Sequence, residues 1–475
     1  MNALLAASAF GLLLGLAACA SDRVAPPAET AQPAQPELPP EIRVGLLLPL
    51  SGPAEALGRD MLDAAEMALF DVGDNDLVLL PQDTGGDPAR ARRAAQEAIN
   101  RGAEVILGPL FGQDVTAVSP IAAAAGIRVL AFSNDASVAT EGTFLLGFRP
   151  EEQVRRVVRY ALATGALAPP EPAPPDQAAG QQEALGETLP LDQPALDQPA
   201  LDQPDLDQPD LDQPPLGLRA PRIAGLAPDD PYGRATIEAL RAVTIEGGGA
   251  LGEILFYPSD GADPSPVVRR ISAYEQRAAA LAAERARLEQ RDDPQAEQAL
   301  RALETRDSMG GAPFDAILLA DGGDRLRSVA SLLTFFDVDP ATTRFLGTMR
   351  WQADPRVLAE GALQGGWFAA PEPRDLAAFE GRFRDIFGRS PDPLAALAYD
   401  ATALAVVVAR DLGDRSFAPD SLVNAQGFAG ATGLFRLRPD GLADHGLAVL
   451  EVRGGATRTL DPAPTTFVDE LALLQ

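Results

Sequence analysis

The chain has 475 residues, 46% of them hydrophobic, which is enough for two domains each with its own core. A formal charge of −29 excludes a nucleic-acid surface, since phosphates require a basic face, and argues against adsorption to anionic lipid. One cysteine, one histidine and arginine at every basic position leave no intrachain disulfide, no histidine-rich metal site and no serine–lysine dyad.

The cysteine, Cys19, closes Leu16-Ala17-Ala18-Cys19 behind an uncharged apolar stretch from Ala3 to Ala18. A short apolar segment, small residues at the cut and a thiol to receive lipid form a bacterial lipoprotein signal, too short to span a bilayer comfortably. Residues 1–18 are therefore expected to be a signal peptide, Cys19 the lipidated residue, and 19–41 a tether of Pro, Ala, Glu and Gln. Ala20 and Ser21 follow the cysteine without an Asp, which favours the inner leaflet of the outer membrane.

From Glu41 short apolar runs alternate with amphipathic stretches, the pattern of an α/β protein with parallel strands. Strands are expected at 42–50, 77–80, 105–107 and 127–132. Helices are expected at 58–72, from Asp87-Pro88 to Arg101, through Ala125, and at 151–162. The pattern then stops. Residues 166–220 carry five tandem pentapeptides, from Leu191-Asp192-Gln193-Pro194-Ala195 to Leu211-Asp212-Gln213-Pro214-Pro215. One Leu in five cannot build a core, and the recurring Pro blocks both helix and ladder, so a disordered insertion is expected. It is either the product of replication slippage in a tolerant loop or a binding motif.

Order resumes with strands at 222–226 and 252–257 around a helix at 231–245. Residues 265–307 form a second excursion, in which Ile271, Tyr274, Leu281 and Leu288 share one helical stripe among Arg and Glu. Asp292-Asp293-Pro294 stops that helix and caps another, giving a helical hairpin that is either a flap on its own lobe or an arm for a partner. Strands at 314–320, 345–347 and 365–369, helices at 323–336, 373–387 and 394–412, and closing strands at 433–437 and 447–453 complete the chain. Pro439-Asp440-Gly441 reads as the turn of a hairpin.

Nothing in this inventory resembles a catalytic constellation, a phosphate loop or a cofactor motif. His445 sits in Ala443-Asp444-His445-Gly446 and reads as an exposed turn residue. The pairs Asp229-Asp230 and Asp292-Asp293 precede prolines and read as caps rather than acid/base couples.

The block from Ile42 to Pro53 resembles the opening of type I periplasmic binding proteins of the branched-chain amino-acid kind. Val105-Ile106-Leu107-Gly108-Pro109 and Asp230-Pro231-Tyr232-Gly233 match in order. The resemblance implies two doubly wound parallel-sheet lobes joined by three crossover strands, with a cleft between them. One lobe would hold 42–149 and 366–434, the other 150–365 and 435–475. Phe132-Ser133-Asn134-Asp135, the Arg/Glu hairpin and the lipid signal look most like the penicillin-binding protein activator (LpoA-like) lipoproteins.

Matched to that family's amino-acid site, the cleft candidates here are Ser51, Gly112, Ser133, Asn134, Asp135, Tyr232 and Arg350. The turn Phe111-Gly112-Gln113-Asp114 lacks the hydroxyl that helps hold a carboxylate, and Asp114 and Asp135 are expected to add acid to the cleft. Met349 stands where an acidic residue would meet an ammonium group. Tyr232 is either a ligand contact or part of the cleft wall. The resemblance therefore implies a non-catalytic, lipid-anchored periplasmic protein that binds and activates a class A penicillin-binding protein, with a small-molecule ligand optional. The alternative is a solute-binding lipoprotein of an ABC-type transporter with a non-standard ligand.

Overall fold

The computed structural model describes residues 41–72, 77–165, 167, 219–411 and 417–467. The signal, Cys19 and the pentapeptide repeat lie outside the described residues.

The first sheet is built from β1 (Ile42–Leu48), β2 (Leu77–Asp83), β3 (Val105–Leu107), β4 (Arg128–Ala131) and β5 (Thr143–Leu145). All pairings are parallel, in the order β2-β1-β3-β4-β5. This is a doubly wound order, with helices on both faces. In β1 only Arg43 is exposed, as expected of a parallel strand covered on both sides. The helices between these strands are α1 (Glu55–Val72), α2 (Pro88–Asn100) and α3 (Gly112–Ala124). The Asp87 carboxylate caps α2 by accepting from Arg90 N, and Pro88 occupies its first turn.

α4 (Pro150–Ala163) leads into the second sheet, which contains β6 (Arg222–Pro228) and β7 (Ala250–Tyr257) around α5 (Pro231–Glu246). The excursion at 265–307 contains α6 (Ser265–Ile271), α7 (Tyr274–Glu289) and α8 (Pro294–Leu303). The stripe expected on one helix is thus split. Ala273 adopts φ +50, which breaks the helix and places Ile271 and Tyr274 on separate elements. β8 (Ala316–Leu319), α9 (Gly323–Phe335), β9 (Arg344–Thr348), α10 (Pro355–Leu358) and β10 (Trp367–Ala370) follow.

β10 was expected in the first lobe. It lies instead between β9 and β14 of the second sheet, so the chain leaves this lobe only after Ala370. α11 (Pro373–Phe387) and α12 (Ala395–Asp411) return to the first lobe, where α12 packs along α1. Arg389 joins α11 to Asp60 and Asp63 of α1, and Asp71 accepts from Arg382 and from Tyr399 Oη.

The short helix α13 (Pro419–Leu422) precedes a three-stranded antiparallel sheet of β11 (Phe428–Gly430), β12 (Gly433–Leu437) and β13 (Ala443–His445). Pro439-Asp440-Gly441 turns between the last two strands. β14 (Ala448–Arg453) and β15 (Ala456–Asp461) then complete the second sheet antiparallel, giving the order β15-β14-β10-β9-β8-β6-β7. The five parallel strands of the second sheet repeat the 2-1-3-4-5 order of the first.

The described chain passes between lobes three times, in short connections at 146–149, 371–372 and 446–447 rather than in crossover strands, so residues 435–445, expected in the second lobe, lie on the first, where Leu442 bridges to Leu145. His445 is not an exposed turn residue. Its side chain is 1% exposed, because β13 pairs it with Phe435 and turns the ring onto Phe148, 4.7 Å away, and onto Glu152.

Candidate functional site

In a doubly wound sheet the crevice for a ligand lies beyond the carboxyl ends of the strands. Here those ends face one another, and the space between them is a cleft of about 380 Å³. Helices α1 and α5 are drawn tightly against the ends of β1 and β6. A Cβ at Gly58 or Gly233 would overlap the carbonyl oxygen of Pro49 or Pro228, so only glycine permits the approach. Asp230 caps α5 by accepting from Gly233 N at 2.7 Å, which places Tyr232 at the mouth of the cleft.

The first lobe contributes apolar and aromatic wall: Leu57, Leu110, Phe111, Phe132 and Phe148, with Leu394 and Leu397 at the start of α12. The second lobe contributes Tyr232 and the turn after β9, which carries Met349, Arg350 and Gln352. Asn134, Gln153 and Asp392 are the other polar lining residues. Tyr232 Oη donates to Thr348 Oγ1 at 2.9 Å, and the Arg350 guanidinium carbon lies 3.5 Å from the centre of the Tyr232 ring. Burial pushes the Tyr232 hydroxyl up from its ordinary value, and Arg350 partly opposes the shift.

Of the residues expected at the cleft, Asn134, Tyr232 and Arg350 line it together. The remaining four lie outside its lining. Ser51 accepts from Arg90 Nη2 at 3.0 Å, beside the Arg90–Asp83 ion pair, so its hydroxyl is engaged within the first lobe. Gly112, Ser133 and Asp135 form a separate corner. A Cβ on Gly112 would stand 3.0 Å from Asp135 Oδ2, while Asp135 Oδ1 accepts from Ser137 N at 3.0 Å. Asp114 does not add acid to the cleft. It points into the first lobe on the buried face of α3 with Val115 and Val118, fully buried and with neither oxygen hydrogen-bonded.

Gln352 and Asp392 line the cleft without having been singled out in sequence. Gln352 follows Arg350 by two residues on one turn, which is the signal that could have found it. The Asp-Pro preceding α12 marks Asp392 only as a helix-start residue. Among the described residues no group of three or more His, Cys, Asp or Glu side chains could hold a metal ion, and no helix is long and apolar enough to cross a membrane.

Comparison with known proteins extends this picture. An uncharacterised protein of Rickettsia prowazekii is 28% identical over 120 residues, 25% of this chain and 32% of the relative, so the match spans about a third of that relative's length. A solved structure of a putative branched-chain amino acid ABC transporter from Rhodospirillum rubrum superposes with a TM-score of 0.61 at 16% identity, covering 88% of this chain and all of that one. A solute binding protein of an ABC transporter from Rhodopseudomonas palustris, in complex with 3,4-dihydroxybenzoic acid, gives a TM-score of 0.56 at 15% identity and covers 91% and 99% of the two chains. At such identities the likeness is one of fold. The profile of the periplasmic binding protein family matches residues 41–167 and 217–457, interrupted at the repeat-bearing segment, and the two doubly wound sheets facing one cleft have the architecture of its type I branch: the chain belongs to that family.

Proposed function

We propose that this protein is a periplasmic solute receptor, anchored through lipid on Cys19, that holds a small organic ligand between its lobes and presents it to an ABC-type importer without transforming it. The observation that carries the reading is the cleft itself, walled by both lobes at the carboxyl ends of both sheets and large enough for a small ligand. Solved neighbours that are ABC-transporter solute-binding proteins support it. The test is a melting-temperature screen of the full chain in detergent against organic acids, amino acids, sugars and nucleosides. A concentration-dependent rise with one class is expected, since a ligand bound only by the folded state stabilises it by mass action. No rise with any class would overturn the reading.

A second reading, activation of a class A penicillin-binding protein, is favoured by one element, the α7–α8 hairpin, whose outer surface carries Arg and Glu such as Glu275, Arg287 and Glu297. Removing residues 272–306 would then weaken binding to the synthase and abolish any rise in its glycan polymerisation rate. An unchanged rate with the intact protein would leave the solute receptor alone.

A further inference from the structure

We propose that the cleft selects a compact apolar monocarboxylate, held by Arg350 and Gln352 of the second lobe, and rejects the α-ammonium group of an amino acid; the proposal rests on the solute-receptor reading above. Several polar groups of the lining are already engaged by the fold. Gln153 is spent on the fold: its Nε2 donates to the carbonyls of Phe148 and Arg149, both at 3.2 Å, and its Oε1 accepts from Met349 N at 2.8 Å. The Tyr232 hydroxyl proton goes to Thr348. Asp392 Oδ1 accepts from Leu394 N at 2.9 Å.

Asn134 of the first lobe keeps an exposed amide with no partner among the described residues, and on one turn of the second lobe two further donors remain unused. The Arg350 guanidinium has no ion pair or hydrogen bond to any described residue; its contact is the face of Tyr232. Gln352 Nε2 is buried without a partner. A buried donor left unpaired costs free energy, and an acceptor arriving in the cleft would relieve that cost. Stacking on Tyr232 fixes the plane of the guanidinium and leaves its N–H edge for a planar two-oxygen acceptor, the geometry that carboxylates match.

The rest of the lining narrows the class. Among the described lining residues Arg350 is the one free cation, set against one acid, Asp392, so a monoanion suits the lining better than a phosphate dianion, which would bring a further unmatched charge among Phe111, Phe132, Phe148 and Leu394. In an α-amino acid the ammonium is attached one carbon from the carboxylate, so a carboxylate on Arg350 would set the ammonium beside the guanidinium. An ammonium also needs up to three acceptors. Among the described lining residues the one acid, Asp392, already accepts from Leu394 N, and the amide oxygens of Asn134 and Gln352 are neutral.

Isothermal titration of the full chain with four matched probes tests this: isocaproate, its amino derivative leucine, isocaproamide and isoamylamine, with benzoate and inorganic phosphate alongside. Isocaproate or benzoate is expected to bind, and leucine, the amide and the amine to bind at least about tenfold more weakly. Arg350→Met should weaken the acid by roughly tenfold or more with an unchanged melting temperature of the free protein, Arg350→Lys should recover part of it, and Gln352→Met should cost less than Arg350→Met. Should Arg350→Met fail to fold, the lysine and glutamine variants carry the test. Tighter binding of leucine, amine or phosphate would overturn the assignment, as would acid binding indifferent to Arg350, or no binding of either acid. A neutral or cationic solute found in the wider screen would overturn it while leaving the receptor reading intact; silence from every class would remove both.

Discussion

Asp114 and Asp400 are both fully buried carboxylates, and hydrogen bonding separates them. Asp114 has no partner on either oxygen, and burial, aided by Asp87, pushes its pKa from 3.8 up to about 6. The folded state therefore binds this proton more tightly than the unfolded chain. Stability falls as pH rises between about 4 and 6 and the full cost persists above that window. Asp114→Asn is expected to raise the melting temperature at about pH 8 and to change it little below about pH 4, measured by thermal unfolding across that range. Asp400 accepts from Ala431 N, Thr432 N and Thr432 Oγ1. Burial still raises its pKa to about 6 against the pull of those bonds and of His445. Here Asn would turn an NH₂ group toward donors, so Asp400→Asn is expected to destabilise by about 1–3 kcal/mol in denaturant unfolding.

The hairpin shows how an element is fixed by one residue. Arg277, 8% exposed, donates to the carbonyls of Phe336, Gly310 and Asp337 and pairs with the Asp337 carboxylate, fastening the start of α7 to the end of α9. Arg277→Met should leave those carbonyls unpaired, and hydrogen exchange should accelerate across residues 274–303 while probe binding in the cleft stays unchanged. Most strands and helices were legible in the chain because apolar runs and capping Asp-Pro pairs act locally; Asp87, Asp230 and Asp293 each cap the helix they announce. What escaped depends on neighbours distant in sequence. β2 runs on to Asp83 through Pro81, which an edge strand tolerates and a sequence reading does not foresee. The break at Ala273 lies between ordinary residues, Ser272 and Tyr274, and the burial of His445 follows from pairing with β12. At the cleft, Asn134, Tyr232 and Arg350 could be placed from the motifs around them, but that Arg350 is unpaired and Ser51 is engaged by Arg90 are facts of side-chain packing.

At the scale of the molecule, α4 and β6 belong to the same lobe, so the insertion between Gly165 and Arg219 begins and ends in one lobe. The entropic cost of closing such an excursion grows only with the logarithm of its length. Deleting residues 191–215 is therefore expected to leave the thermal transition and probe binding in place; loss of the transition would make the repeat part of the fold. The three passages between lobes carry a different consequence. The apolar side of α1, whose buried residues include Met61, Ala65 and Ala68, packs along α12, whose residues come after the whole parallel part of the second sheet. A chain emerging from its amino end therefore carries that greasy helix face bare until residues 395–411 have been made. The lobe that begins first is completed late, and a chain cut short after β10 would stick to its own kind rather than survive as a folded half.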